Sequence, residues 1–440
     1  MKIAVLTHRD SSWPSLREII PALERAWRNY ADRNRHEIVF AATGKNSAER
    51  AAPHILSADA VGVLFATPAI SRLLFGLRQA GLRIPAVIHT HGEGTAGALR
   101  FGPLAGFFTR RDSFLCASRA EAACLRECFP DAFIRIAPFP IEPAVGTAAS
   151  APFRAAQPKL PPLFYAGRIS EQKNLHLLLF SLWMLRKRRP DLDWRLEIYG
   201  APDRTGSPNM GFRFKNYQGY LLDLCARLGL EERVLWKGWH AARTLERTIA
   251  QGGRLFVSSS LHSDEDFGVA ALKSLLLGSR AVLSAWGGHR DFPKRFPRRV
   301  WSVPVYRSAA GPFLAAGELS RTLSRALTWN EPARTAALRS EDALRLCSES
   351  IADCLRDPAA RPAGPLPLGP SAVRVMKAAA RFKKPHCGPL YARVPDRFYP
   401  PRAFESYADR AAQPFFRSYG ARDAHPAFAG GRSVPVLAPW

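Results

Sequence analysis

The chain has 440 residues, 47% of them hydrophobic, with 63 Lys and Arg against 37 Asp and Glu. That length excludes a single small core and makes two domains of roughly 150–200 residues the starting expectation. The formal net charge of +26 points to an anionic partner, such as nucleic acid, an acidic membrane face or a phosphorylated substrate, and is silent about fold. A general bias toward arginine is the plainer source of the charge as a whole, although residues 361–440 are the most basic part for their length.

The amino terminus, MKIAVLTHRDSS, holds one short apolar stretch, Ile3 to Leu6, too short for the core of a signal peptide. Short Val-, Ile- and Ala-rich runs follow at 2–7, 36–42, 60–66, 85–90, 113–118 and 133–139, separated by helical patterns near 15–31, 68–80 and 118–129. Strands of that composition separated by helices predict a parallel sheet covered on both faces, over residues 1–141. Residues 142–162, EPAVGTAASAPFRAAQPKLPP, are Pro- and Ala-rich without periodicity and read as a linker.

The alternation then restarts. Strands are predicted at 163–168, 194–200, 234–238, 254–260 and 281–286, with helices at 174–189, 217–228, 241–251 and 269–277. This is a second doubly wound α/β domain, residues 163–355. The predicted fold class is therefore α/β, two Rossmann-like domains facing a cleft, with ligands expected at the carboxyl ends of the strands. Residues 356–440 form a Pro- and aromatic-rich basic extension with one clear helix, 372–384. The longest apolar run, near 175–185, is about half the ~20 residues a membrane span needs. The seven cysteines, with no C-x-x-C pair, read as reduced thiols, and the chain as cytoplasmic.

Several short stretches could carry chemistry. Gly167-Arg168 and Lys173-Asn174 flank a strand-to-helix turn, where helix amides and two cations suit a diphosphate. An ordinary surface turn with solvated charges is the simpler account of that stretch in isolation. Asp264-Glu265-Asp266 precedes Phe267-Gly268 at the start of a helix. Acids there suit the helix dipole, and carboxylates in a cleft also accept hydrogen bonds from sugar hydroxyls. Gly287-Gly288 permits close approach of a ligand or a tight turn. His89 and His91 alternate sides at a strand's end, so one of them can face the cleft. H-x-H has no third ligand near it, and Asp191-Leu192-Asp193 sits at the wrong end of its strand for a metal site. Lys273 lies inside a helix that is apolar on nearly every side, so it must be paired, snorkel or face a ligand.

Taken in order, FYAGRISEQKN, WRLEIYG, VLWKGW, RLFVSSS, EDFGVAALKSLLLG and VLSAWGG resemble the nucleotide-sugar-binding domain of a retaining glycosyltransferase of family 4 (group 1), which has the GT-B fold. The resemblance is good over about 160–290 and looser over 1–140, where SFLCASRAEAACLRECFP looks like the segment before the family's linker. It does not reach 385–440. It implies a hexosyltransferase-like enzyme moving a sugar from a nucleotide-sugar donor to a glycan or lipid-linked cell-envelope acceptor, with retention of configuration and without a metal or other cofactor. Arg168 and Lys173 would bind the donor diphosphate, with Gly167, Gly287 and Gly288 at the donor site. Glu265 would hold donor-sugar hydroxyls beside the amides of Phe267 and Gly268. His91 would lie near donor sugar and acceptor, so His91 and Glu265 are the candidate catalytic residues.

Two departures from the family pattern matter. The family carries a second glutamate where this chain has Lys273, eight helical positions or about 12 Å beyond Glu265. Lysine offers donors and no acceptor, so the bidentate contact to a ribose is lost. Lys273 is then expected to contact another part of the nucleotide or to pair with an acid, or else the donor site is degraded. The second departure is THRDSSWPS after the first strand, where the family often has glycines.

The basic stretches RKRR (186–189) and KRFPRR (294–299), with the tail, suit peripheral attachment at the anionic inner face of the membrane. The alternative reading is a nucleic-acid-binding protein or RNA-modifying transferase on the same scaffold, supported by the charge and the basic-aromatic tail. The base, the sugar and the acceptor depend on loops that the sequence does not place.

Overall fold

The structure, a computed structural model, describes residues 1–8, 15–43, 48–92, 108–145, 160–203, 216–261, 265–308, 311–329, 340–362, 364–380 and 413–423. The THRDSSWPS turn after Thr7-His8, most of the linker and most of the tail aromatics lie outside the described residues.

The first sheet is built from β1 (Lys2–His8), β2 (Glu37–Thr43), β3 (Ala60–Val63), β4 (Ala86–His89), β5 (Ser113–Cys116) and β6 (Phe133–Ile136). All neighbours are parallel, in the order β2-β1-β3-β4-β5-β6. Its helices are α1 (Leu16–Asn34), the short α2 (Ala52–Leu56), α3 (Pro68–Gln79) and α4 (Arg119–Cys128). α1 buries Leu16, Ile19, Ile20, Leu23, Trp27 and Tyr30, a helical-period stripe, and stops at Arg35 in the left-handed conformation. α4 starts at Ser118, whose hydroxyl accepts from the Glu121 amide at 3.2 Å.

The second sheet holds β7 (Leu163–Ala166), β8 (Leu196–Tyr199), β9 (Val234–Gly238), β10 (Leu255–Ser258), β11 (Arg280–Ser284) and β12 (Val300–Val303). It too is parallel, in the order β12-β11-β10-β7-β8-β9. The helices between its strands are α5 (Leu175–Arg188), α6 (Tyr217–Leu228), α7 (Ala242–Ala250), α8 (Val269–Leu276) and the single turn α9 (Phe292–Arg295). Strands β7, β10 and β11 are buried along their whole length, as central strands covered on both faces must be. The two doubly wound sheets expected from the strand pattern are thus both present.

The chain beyond β12 is less simple than its sequence suggested. β13 (Val305–Ser308) and β14 (Gly311–Leu314) form an antiparallel hairpin, and α10 (Ala316–Leu327) returns to pack on α5. α11 (Ser340–Leu355) then lies against the first sheet's helix α1, with the Ser348 hydroxyl donating to Ala26 O at 3.1 Å. α12 (Pro370–Ala380) packs on α4. α13 (Gln413–Tyr419) packs on both α4 and the β13–β14 hairpin, and β15 (Arg422–Asp423) pairs in parallel with β13. The described parts of the basic extension are therefore built into the body of the protein, across both sheets.

Candidate functional site

In the second sheet the strand order reverses between β7 and β10, which leaves a crevice beyond their carboxyl ends. Both segments singled out in the sequence emerge there. After β7 come Gly167 and Arg168, then a 3-10 turn at Glu171–Lys173 and Asn174 with φ of 59°, and then α5. The Ser259 hydroxyl, just past β10, bonds Lys173 O at 3.1 Å and Asn174 O at 3.0 Å, and the Leu261 amide donates to Gln172 O at 2.9 Å. Two loops distant in sequence are thereby sewn together at the rim of the crevice.

Glu265 sits at the centre of this rim, its side chain 11% exposed. Lys173 Nζ donates to Glu265 Oε2 at 2.5 Å, and His289 Nε2 lies 3.6 Å from Glu265 Oε1. Burial pushes the Glu265 carboxyl up, but Lys173 and His289 beside it, with hydrogen bonds from Lys173 and Ser260, outweigh that and hold it well below the usual carboxylate range. His289 is buried, and desolvation draws its pKa down against the opposing pull of Glu265. Arg168 pairs with Asp203 at 2.5 Å and keeps a third of its side chain exposed. The site thus offers an ionised carboxylate and two cations, each of the cations held by an acid.

The glycines explain how closely these loops fit. Gly268 precedes α8 with φ of 78°, and a Cβ there would stand 2.7 Å from the His289 ring. The Gly288 amide donates to Glu265 O at 2.7 Å, and a Cβ at Gly288 would stand 2.3 Å from Asp266 O. Gly287 faces Glu265 O on one side and the Tyr419 ring on the other. The glycine pair is therefore the seat on which the Glu265–Phe267 loop rests. Gly167 O in turn lies so near Gly200 that a Cβ at Gly200 would overlap it.

From the first sheet, His91 bonds Leu64 O through Nε2 at 2.7 Å and stacks on Phe139 at 5.2 Å between ring centres. Phe139 meets Phe267 edge-on at 5.1 Å, so an aromatic chain runs from His91 to the loop of Glu265. His89 turns the other way, into the core, where Trp27 Nε1 donates to its Nε2 at 3.0 Å. Of the two histidines, His91 is the one at the junction.

Lys273 is buried and paired: its Nζ lies 2.6 Å from Glu246 Oε1 on α7 and 2.5 Å from Glu18 Oε2 on α1. Of the expectations for this lysine, pairing with an acid is the one the geometry displays. Asp191 is exposed and paired with Arg189, at the amino-terminal side of β8. KRFPRR is less available than its sequence suggested. Arg299 is buried against the carbonyls of Leu275 and Ser279, and Arg295 lies over the Phe267 ring at 5.4 Å.

The sequence reading missed His289, Asp203, Ser260, Phe139, Glu18 and Glu246. His289 directly follows the glycine pair, which is a usable signal. The others come from separate elements and carry no local mark.

Comparison with known proteins agrees with this architecture. Residues 151–305 match the family model of glycosyl transferases group 1. An uncharacterised glycosyltransferase of Methanocaldococcus jannaschii is 25% identical over 142 residues, 32% of this chain and 32% of that protein, so the chain spans about a third of the length of this curated relative. Among solved structures, Anabaena HepE in complex with UDP superposes with a TM-score of 0.52 at 15% identity, covering 81% of this chain and 99% of that one. A UDP-forming α,α-trehalose-phosphate synthase from Burkholderia vietnamiensis gives 0.53 at 11% identity, with 82% and 97% covered. A trehalose-6-phosphate synthase studied for glycosyl transfer with retention gives 0.55 at 11%, with 80% and 98% covered. Residues 151–305 thus resemble the glycosyl transferases of group 1, and the two-sheet architecture is the GT-B fold.

Proposed function

We propose that the protein is a retaining, hexosyltransferase-like enzyme that moves a sugar from a nucleotide-sugar donor to a glycan or lipid-linked acceptor of the cell envelope. One observation carries this reading: Glu265, held ionised between Lys173 and His289, stands at the switch point of the second sheet, where the loop of Lys173 also carries Arg168. An ionised carboxylate only accepts hydrogen bonds, so it is suited to orient sugar hydroxyls. When the donor enters, its diphosphate takes Arg168 and Lys173 as partners, and Glu265, relieved of Lys173, turns to the sugar. As the bond between the anomeric carbon and the diphosphate oxygen breaks, negative charge grows on that oxygen. Two fixed cations in a poorly solvated crevice stabilise it, and no metal is required for this step. The acceptor hydroxyl approaches on the face the nucleotide leaves, beside the wall formed by His91, Phe139 and Phe267. The similarity to structures bound to UDP and to UDP-2-fluoro glucose supports a uridine diphosphate sugar as the first donor to try, and the similarity to an enzyme studied for transfer with retention supports the stereochemistry. The exposed Arg186, Lys187 and Arg188 at the end of α5 support contact with an anionic membrane face. No helix among the described residues is long and apolar enough to cross a membrane.

The test begins with melting temperature against a panel of nucleotides and nucleotide sugars. A donor at 100 times its Kd adds about 2.7 kcal/mol of stability. Transfer is then followed with labelled donor, in the wild type and in Arg168→Ala and Glu265→Ala. Each variant is expected to lose roughly 100-fold or more in kcat. Full activity in either would remove that residue from the donor site. No nucleotide shift, together with tight and salt-sensitive RNA binding, would replace the reading with a nucleic-acid function.

A further inference from the structure

We propose that Lys273 is a positioning residue that sets how closely the two sheet-bearing units meet across the cleft. Its ammonium group joins three elements: α8, on which it sits, α7 through Glu246, and α1 of the first unit through Glu18. Glu246 is almost fully buried, with 3% of its side chain exposed, and its second oxygen accepts from the amides of Ala144 and Val145 at 2.6 and 3.3 Å. Those two residues belong to the chain that passes from one unit to the other. One carboxylate therefore grips both the connecting chain and the lysine, and the lysine reaches the first unit.

The two arms of the lysine differ in kind. The contact to Glu246 lies within the second unit and survives any movement between the units. The contact to Glu18 exists only when α1 is close. Glu18 lies in the first turn of α1, where the helix dipole favours its charge, and its side chain is 32% exposed. Glu18 Oε2 makes no hydrogen bond there, so this arm is an ion pair, and the attraction of a second carboxylate for the buried ammonium group favours the closed arrangement. Closure in turn brings Phe139, with His91 stacked on it, against Phe267 beside Glu265. Lys273 thus acts on the site through the spacing of these rings and touches none of them. A helix position that faces a cleft is used here to hold the cleft shut.

This coupling is independent of the identity of any donor, so its test needs no substrate. Glu18→Gln removes the crossing charge and leaves Lys273 paired with Glu246, so the fold is kept. Small-angle scattering of the full chain is expected to show a larger radius of gyration than the wild type. Hydrogen exchange is expected to quicken at 137–141 and 265–268 while the β7–β10 core and the amides of Ala144 and Val145 stay protected. Glu18→Asp should restore part of the difference, and Glu349→Gln, which breaks an exposed pair with Arg345 on α11, should change nothing. Scattering and exchange in Glu18→Gln that match the wild type would overturn the proposal, as would an equal effect from Glu349→Gln. In a transfer assay, Glu18→Gln should lower kcat more than it raises KM, because the contacts of the donor with the second unit are untouched.

Discussion

Trp27 donates its ring N–H to His89 Nε2, so His89 is neutral with its proton on Nδ1. Desolvation, with a smaller push from His91, draws the His89 pKa down to about 3 from the usual 6.5. A histidine with a depressed folded pKa binds fewer protons folded than unfolded. Its contribution to stability is fully present above the unfolded value and is lost as pH falls toward the folded one, at up to about 1.4 kcal/mol per pH unit. His289 shifts in the same direction. Glu265 has the same sign in a lower window, because its loss begins only as pH enters the ordinary carboxylate range near ~4.3. His89→Gln keeps an acceptor for Trp27 and removes the titration. Melting temperatures of this variant should fall less than wild type between pH 6.5 and pH ~4.5. A slope equal to wild type in that window would show that His89 is not the buried neutral base.

At the scale of elements, the glycine pair after β11 joins sequence to site. Gly288→Ala puts a methyl group against the backbone of Asp266 and Phe267, with no flexible side chain to yield. It should cost roughly 2 kcal/mol or more and weaken donor binding along with stability, measured by chemical unfolding and nucleotide titration. Ser118→Ala, which removes the cap of α4 and leaves the Gly288–Glu265 contact in place, should cost about 1 kcal/mol and leave nucleotide binding unchanged. The difference between them separates the seat of the Glu265 loop from general stability. Most strands and helices of both sheets were legible in the sequence, because Val-, Ile- and Ala-rich runs alternate with helix-length segments. β12 to β14 were not: β12 is a half-exposed edge strand, Pro304 interrupts the run, and no strict alternation marks the hairpin.

For the whole molecule, α13 joins the two units from behind the site. Phe415, Phe416 and Tyr419 are buried, Trp286 meets Tyr419 at 5.0 Å, and Arg290 bonds Ser418 O at 3.2 Å. Tyr419→Ala empties the space beside Gly287 and should cost about 3–5 kcal/mol. Ending the chain after residue 380 should lower the melting temperature at least as much. A truncated chain as stable as the full one would show that the extension is a free arm. By itself the sequence determined two parallel sheets and which short segments, those holding Arg168, Lys173, Glu265 and the glycine pair, follow their strands. Those features are local, since strand composition, turn glycines and residues beside strand ends all lie within a few positions of one another. Only the tertiary structure decided the fate of Lys273, the choice between His89 and His91, the placing of His289 and Asp203, and the burial of Phe415, Phe416 and Tyr419. Each of these depends on a partner tens to hundreds of residues away, or on which face of an element meets the core, and a pattern read along the chain carries neither.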